Sequence, residues 1–376
     1  MFRIVILLGF LAPVAAFGQR QTENVILVTL DGVRVQEIFA GMDQAIAEHS
    51  ATDEYSDIAL ARERYWRDSA VERREALMPF FWKTLAPQGV VLGNPERGSR
   101  VLVRNKIKWS SPGYVEIMTG AAQAEVVDNS ERRYAHKTVA EFLVSELNLA
   151  KTQVAQFGSW DGFKLAASST DDAFFMNGAY EAIPPALSTP EMDTLVALRA
   201  DIQGLWEEGS NDVPTFRLAQ HYLARHQPRF LWFGFGQTDD WSHADRYDRL
   251  LECLHLTDRF LSELWSTLQS DDFYKGKTTM VITTDHGRGR GAADWQEHDE
   301  SIPGSGDIWI AVIGPDTPAT GEAGPLPTVY QGDVAATIVQ LFGLDPGEFN
   351  PDAGPPIAAV WGEAEMSDAR KKSYKQ

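Results

Sequence analysis

The chain has 376 residues, 44% of them hydrophobic, enough to bury a large core as two domains or as one large domain with insertions. Its 34 Lys and Arg stand against 53 Asp and Glu, a formal net charge of -19. That balance excludes a surface built to neutralise duplex nucleic acid or to dock on anionic lipid. It does not exclude a small phosphorylated substrate, because metal ions can supply locally the positive charge that the surface lacks.

In chain order, residues 1–18 come first: one Arg, an apolar run, and small residues Ala16 and Gly18 flanking Phe17. This is the pattern of a secretory signal peptide cleaved near Gly18, with an apolar run too short for a comfortable membrane span. Export to the periplasm or the extracellular space is expected, with an uncleaved anchor as the alternative. No later stretch is apolar enough to cross a bilayer, so no stable membrane insertion is expected after cleavage.

Val25 to Leu30, VILVTL, reads as a strand buried on both faces of a parallel sheet and stops at Asp31-Gly32. By itself Asp-Gly is a turn dipeptide. Ala51 to Leu85 reads as one or two amphipathic helices, and Gly89 to Gly93 as a strand. Arg104, Lys106 and Lys108 alternate with other residues, either as a solvated edge strand or as a charge source for an anionic site. In Trp109 to Gly120, WSSPGYVEIMTG, a helix is expected with Pro112 at its first position. Ser110 then stands before the helix start, beside unpaired N–H groups and the positive end of the dipole; Ser111 is read as a cap only.

Thr152 to Asp161 contains another strand, VAQFGSW. Residues 166–212 have weak periodicity and several Pro, and read as a lid or insertion over the sheet. A helix is expected over Phe216 to Arg225. Phe230 to Gly236, FLWFGFG, is a buried strand followed by Asp239 and His243 with D-x-x-x-H spacing at the start of a helix. Cys253, the only cysteine, lies among Leu250, Leu251 and Leu254 at helical spacing and is a core residue. In Thr278 to His298, the apolar Met280, Val281 and Ile282 end at Asp285-His286, and a Gly/Arg-rich loop leads to His298. Ile308 to Ile313 forms one more strand, and Asp333 to Phe342 a terminal helix closed by Gly343. A basic tail follows.

A carboxylate that follows an apolar strand three times over, at Asp31, Asp239 and Asp285, is the signature of an open α/β sheet, whose crevice lies beyond the carboxyl ends of its strands. The expected fold is therefore α/β, a mostly parallel central sheet flanked by helices, with helical and loop insertions, over residues 19–376. Asp31, Ser110, Asp239, His243, Asp285, His286 and His298 together offer three carboxylates, three imidazoles and a hydroxyl. Such a set suits two divalent cations, zinc first, with Mn2+ or Mg2+ as alternatives. Two ions roughly 3.5 to 4 Å apart can stabilise both the attacking and the leaving oxygen of an in-line displacement.

The segments V-T-L-D-G, S-S-P-G-Y-V-E-I-M-T-G, T-D-D-W-S-H, T-T-D-H-G and W-Q-E-H, in that order, resemble the alkaline phosphatase superfamily, nearest to its type I phosphodiesterase and nucleotide pyrophosphatase branch. The resemblance spans about Val25 to Gly314. It implies that Asp31, Ser110, Asp285 and His286 hold one metal, that Asp239, His243 and His298 hold the other, and that Ser110 is the nucleophile. Where the phosphodiesterase branch has Thr-x-Pro-Asn, this chain has Ser110-Ser111-Pro112-Gly113. Tyr114 stands where a sulfatase carries Arg, and no Cys is present for a formylglycine. Asn129 matches the Asn that binds a phosphoryl oxygen, with Lys106, Arg288 and Arg290 as other candidates. The implied activity is hydrolysis of phosphate esters through a phosphoseryl intermediate, with monoester and diester both open. A phosphoglycerate-mutase-like phosphotransferase is the alternative, a sulfatase-like hydrolase ranks below it, and the oligomeric state stays open.

Overall fold

A computed structural model of the chain describes residues 20–361, so the expected signal peptide and the basic tail lie outside the described residues. The strands in chain order are β1 (Asn24–Leu30), β2 (Val90–Leu92), β3 (Val101–Leu102), β4 (Val154–Gly158), β5 (Phe175–Asn177), β6 (Phe230–Phe235), β7 (Thr278–Thr283), β8 (Asp307–Ile308), β9 (Ile310–Ile313), β10 (Gly321–Glu322) and β11 (Val329–Tyr330). Eight of them form one sheet in the order β10-β2-β9-β7-β1-β6-β4-β5, and β11-β3-β8 form a small second sheet. β1 runs parallel to β6 and β7, and β4 parallel to β6 and β5; β9 is antiparallel to its neighbours β7 and β2. The central sheet is mostly parallel and flanked by helices, the α/β class expected from the strand pattern.

Every residue of β1 is buried, as a strand covered on both faces requires. Its side chains alternate between two cores: Ile26, Val28 and Leu30 pack on one face, Val25 and Leu27 on the other. Helices Asp212–His226 and Tyr247–Ser270 cover the first face through Phe216, Tyr222, Leu254 and Leu261. Helices Ser110–Thr119, Val139–Glu146 and Asp333–Leu341 cover the second. Cys253 is buried within Tyr247–Ser270, as its spacing predicts. Among the described residues no helix is long and apolar enough to cross a membrane.

Four stretches take a more definite form than their patterns alone specify. Ala51 to Leu85 breaks into helices Ile58–Tyr65 and Ala70–Leu77 and a wide π-type turn Phe81–Leu85, because Trp66 is extended and the Ser69 hydroxyl caps a new start by accepting from Glu72 N. Arg104 to Lys108 is a loop rather than a strand: the buried Glu116 carboxylate accepts the backbone N–H groups of Arg104 (3.0 Å) and Asn105 (2.8 Å), which turns the chain. Ile308 to Ile313 is interrupted at the buried Trp309, whose indole N–H donates to Val33 O (3.1 Å), so that its two halves belong to different sheets. Residues 166–212 are more structured than a covering loop. They supply β5 at the sheet edge and helix Pro190–Asp201 against Asp212–His226, and only their last stretch approaches the cavity described below.

Candidate functional site

The site follows from strand register. β1 is flanked by β6 and β7, with Leu30 beside Phe235 and Thr29 beside Thr283, so the three strands end together. Asp31, Asp239 and Asp285 therefore emerge at one edge of the sheet although more than 250 residues of chain separate the first from the last. Gly32 makes the turn after β1 at a φ of 62°, and its N–H donates to Asp285 Oδ1 (3.0 Å). A Cβ there would lie 2.6 Å from Asp239 Oδ1, so the turn needs glycine for space as well as for conformation.

Ser110 is brought in by helix Ser110–Thr119. The helix begins at Ser110 itself, after an extended Trp109, rather than at Pro112, and Ser111 does not cap it. The expected row of free N–H groups is also absent at its start. Ser111 N–H donates to Asn129 Oδ1 (2.9 Å), Pro112 has none, and Gly113 N–H is bonded to Trp109 O (3.1 Å). Gly113 sets how near the helix comes: a Cβ there would be 2.5 Å from Asp285 O. The Ser110 hydroxyl lies 3.4 Å from Asp31 Oδ1, and one turn on, the Tyr114 hydroxyl donates to Asp31 Oδ2 (3.0 Å). Sequence reading assigned Tyr114 no role beyond replacing an Arg, but its i+4 offset from Ser110 is the signal that could have found it.

The seven side chains converge. One ligand atom each from Asp31, Asp285 and His286 lie within 4.8 Å of one another, and so do those from Asp239, His286 and His298. His243 adjoins the second group, its Nε2 3.2 Å from Asp239 Oδ2 and 3.0 Å from His298 Nε2. His286 thus lies between the two groups, its Nε2 3.5 Å from Asp31 and 3.9 Å from Asp239, and its ring stacks on His298 with centroids 3.9 Å apart. The Nδ1 atoms of His286 and His298 face the carbonyls of Gly287 (2.9 Å) and Lys108 (2.6 Å). Those carbonyls place the proton on Nδ1 and turn the Nε2 lone pairs into the site.

The charges favour cations. Burial, reinforced by Asp285, raises Asp31 well above the usual carboxylate range against the opposing effects of His286 and the Tyr114 hydroxyl, and burial raises Asp285 to about 7. Burial pushes His286 and His243 down and, with His286 and Arg288 nearby, His298 further down, so all three imidazoles are neutral, the form in which an imidazole can bind a cation. Asp285 Oδ2 and His286 Nε2 are buried without a hydrogen-bond partner among the described residues, 3.4 Å apart. Buried orphaned ligand atoms beside uncompensated carboxylates fit divalent ions, whose charge would offset the burial of the acids.

The site opens into a cavity of about 230 Å³ lined by Asp31, Ser110, Asn129, Asp239 and His243, with Ser159, Trp160, Trp206, Glu208, Ser210 and Asp240 beyond them. Asn129 lines it with its carboxamide oxygen held by Ser111 N–H, which leaves its amide NH2 as the available donor. Two candidate substrate cations do not face it. Lys106 is exposed on the loop before the helix, and Arg288 is 1% exposed. The Arg288 guanidinium donates to Gly32 O (3.1 Å) and pairs with Gln296 O and the Asp239 carboxylate, so it braces the turn after β1. Arg290, also exposed, pairs with Asp307 (2.5 Å).

No family model and no curated protein matches the sequence. Solved structures do match the fold. The wild-type alkaline phosphatase PafA aligns with a TM-score of 0.59 at 12% identity, covering 91% of this chain and 99% of that one. The phosphonate monoester hydrolase SpPMH from Silicibacter pomeroyi aligns at 0.55 and 12% identity, covering 92% and 78%. The lipoteichoic acid synthase LtaP from Listeria monocytogenes aligns at 0.55 and 11%, covering 88% and 74%.

Proposed function

We propose, for a chain that has the fold of the alkaline phosphatase superfamily, that it is an exported hydrolase of phosphate esters with two divalent metal ions and Ser110 as nucleophile. The observation that carries the reading is the convergence of seven side chains on buried, unpartnered ligand atoms at the sheet edge. Structures of an alkaline phosphatase and a phosphonate monoester hydrolase share the fold and support the class of reaction. Asp31, Ser110, Asp285 and His286 would hold one ion, and Asp239, His243 and His298 the other, with His286 between them. Bound there, the ions supply Lewis acidity to the attacking and leaving oxygens. Zinc suits three imidazoles best, with Mn2+ or Mg2+ as alternatives.

The residues divide the work. Ser110 Oγ bonds to phosphorus as the bond to the leaving alkoxide breaks, giving a phosphoseryl ester; its proton leaves by way of Asp31 Oδ1 to the alkoxide, which departs as the alcohol. Water then bonds to phosphorus, the Ser110 Oγ–P bond breaks, the hydroxyl regains a proton and phosphate departs. The Asn129 amide NH2 is placed to donate to a phosphoryl oxygen. Replacing Ser110 with Ala is expected to abolish turnover of aryl phosphate esters by the metal-loaded protein while two ions stay bound. Near-normal turnover in that variant would remove Ser110 from the nucleophile's role.

A further inference from the structure

Helix Ser110–Thr119 is buried along its whole length, and within it stands a carboxylate, Glu116, that is 0% exposed. A buried charge is costly unless it is well bonded, so its partners show what it holds. Its hydrogen-bond partners among the described residues belong to one loop. Oε1 accepts from Arg104 N–H (3.0 Å), and Oε2 accepts from Asn105 N–H and from the Asn105 side-chain amide, both at 2.8 Å.

That loop is closed on itself and delivers one carbonyl. At its start Val103 N–H donates to Gly306 O (3.0 Å), and at its end the Lys108 ammonium donates back to Val103 O (3.3 Å) and Asn105 O. Lys108 O then meets His298 Nδ1 (2.6 Å), 190 residues away in the chain. His286 is held differently, its Nδ1 bonded to the carbonyl of the next residue, Gly287 (2.9 Å). The tautomer of His286 is therefore set within its own segment, whereas that of His298 depends on a loop that Glu116 fixes. Because Glu116 and Ser110 share one helix, that helix sets both the hydroxyl and the distant imidazole.

Resting on the reading of Asp239, His243 and His298 as the ligands of one ion, we infer that Glu116 is a positioning residue for His298. It fixes the loop whose Lys108 carbonyl holds the Nδ1 proton of His298, and so keeps the Nε2 lone pair aimed beside His243 and Asp239. The hydrogen bonds of Asp31, Asp285 and His286 among the described residues do not involve this loop, so the effect is confined to the other ion.

The experiment is a double-mutant cycle read by zinc binding to the metal-free full chain. Glu116→Gln keeps the size of the side chain but turns an NH2 group toward the N–H groups of the loop. Chelator competition should show one of two ions bound roughly 10- to 100-fold more weakly than in wild type. In a His298→Ala background the same substitution should change nothing further, because the ion it acts on is already lost. Lys108→Met, at a partly exposed position, loosens the same loop without touching the buried carboxylate and carries the test if Glu116→Gln does not fold. In zinc-loaded protein both variants should speed exchange of the His298 Nδ1 proton in nitrogen-15 spectra and leave that of His286 unchanged. Equal losses of affinity in both backgrounds would show general loosening and overturn the inference. None of these readings uses turnover. The expected pattern in a protein that hydrolyses no phosphate ester would uphold the role of Glu116 and overturn the hydrolase reading; wild-type zinc binding in both variants beside normal ester hydrolysis would do the reverse.

Discussion

Tyr114→Phe tests whether the metal site is held by a hydroxyl outside the ligand set. The Tyr114 ring is buried against Phe163 and Trp232, at centroid distances of 4.7 and 5.7 Å, so phenylalanine fills the same space and the change removes one oxygen. That oxygen donates to Asp31 Oδ2 at 3.0 Å, and the Tyr114 side chain is fully buried, so phenylalanine leaves no room there for a water in its place. Loss of a partner that orients a ligating carboxylate typically lowers metal affinity about 10- to 100-fold. The sign with pH also follows. The hydroxyl favours ionised Asp31, so its removal raises an already raised carboxyl and moves the metal-binding curve to higher pH. Zinc affinity measured by chelator competition at several pH values, with thermal melts of the metal-free proteins as a folding control, reads both effects. Wild-type affinity across the pH range would refute the idea that Tyr114 orients Asp31.

Gly113→Ala should place a methyl 2.5 Å from Asp285 O and push the Ser110 helix outward, costing about 1–3 kcal/mol of stability and on the order of 100-fold in kcat/KM. A variant with unchanged melting temperature and turnover would show that the helix has slack there. His298→Ala should lower the zinc content by about one ion per chain in elemental analysis, and equal content in variant and wild type would argue against the two-ion scheme. In the metal-free protein burial holds Asp285 at about 7 and Asp212 and Asp258 at about 6. All three lie above the unfolded carboxylate value of about 3.9, so their contribution to stability is complete below that pH and is lost as the pH rises toward 7. Zinc requires the ionised acids, so the rise in melting temperature on adding zinc should be larger at pH 7.5 than at pH 5.5; equal increments would contradict the assignment.

Much of the fold was legible because it depends on local patterns. Short apolar runs at Val25, Phe230 and Met280, β-branched in the first and last and aromatic in the second, read as buried strands, and all three became β1, β6 and β7 at the centre of the sheet. A carboxylate within four residues of the end of each strand located the end of the sheet at which a site would form. Boundaries set by single long-range contacts were not legible. The Trp309 indole splits one strand between two sheets, and the Glu116 carboxylate turns Arg104 to Lys108 into a loop. The helix start moved from Pro112 to Ser110 because Trp109 is extended, and the N–H groups expected to face an anion are taken by Asn129 and by Trp109 itself.

The sequence alone determined the mostly parallel sheet and the identity of the chemical groups at its edge, since strand periodicity and residue type are properties of a few neighbouring positions. Tertiary structure decided which groups meet. Parallel register aligns the ends of β1, β6 and β7 and so brings Asp31, Asp239 and Asp285 together, with His286 between both ligand groups. It also buries Arg288 outside the cavity lining, sets the Tyr114 hydroxyl on Asp31, and gathers Trp160, Trp206, Glu208 and Asp240 on the cavity lining. Those outcomes rest on distances between residues far apart in the chain, and no local pattern encodes a distance across the fold.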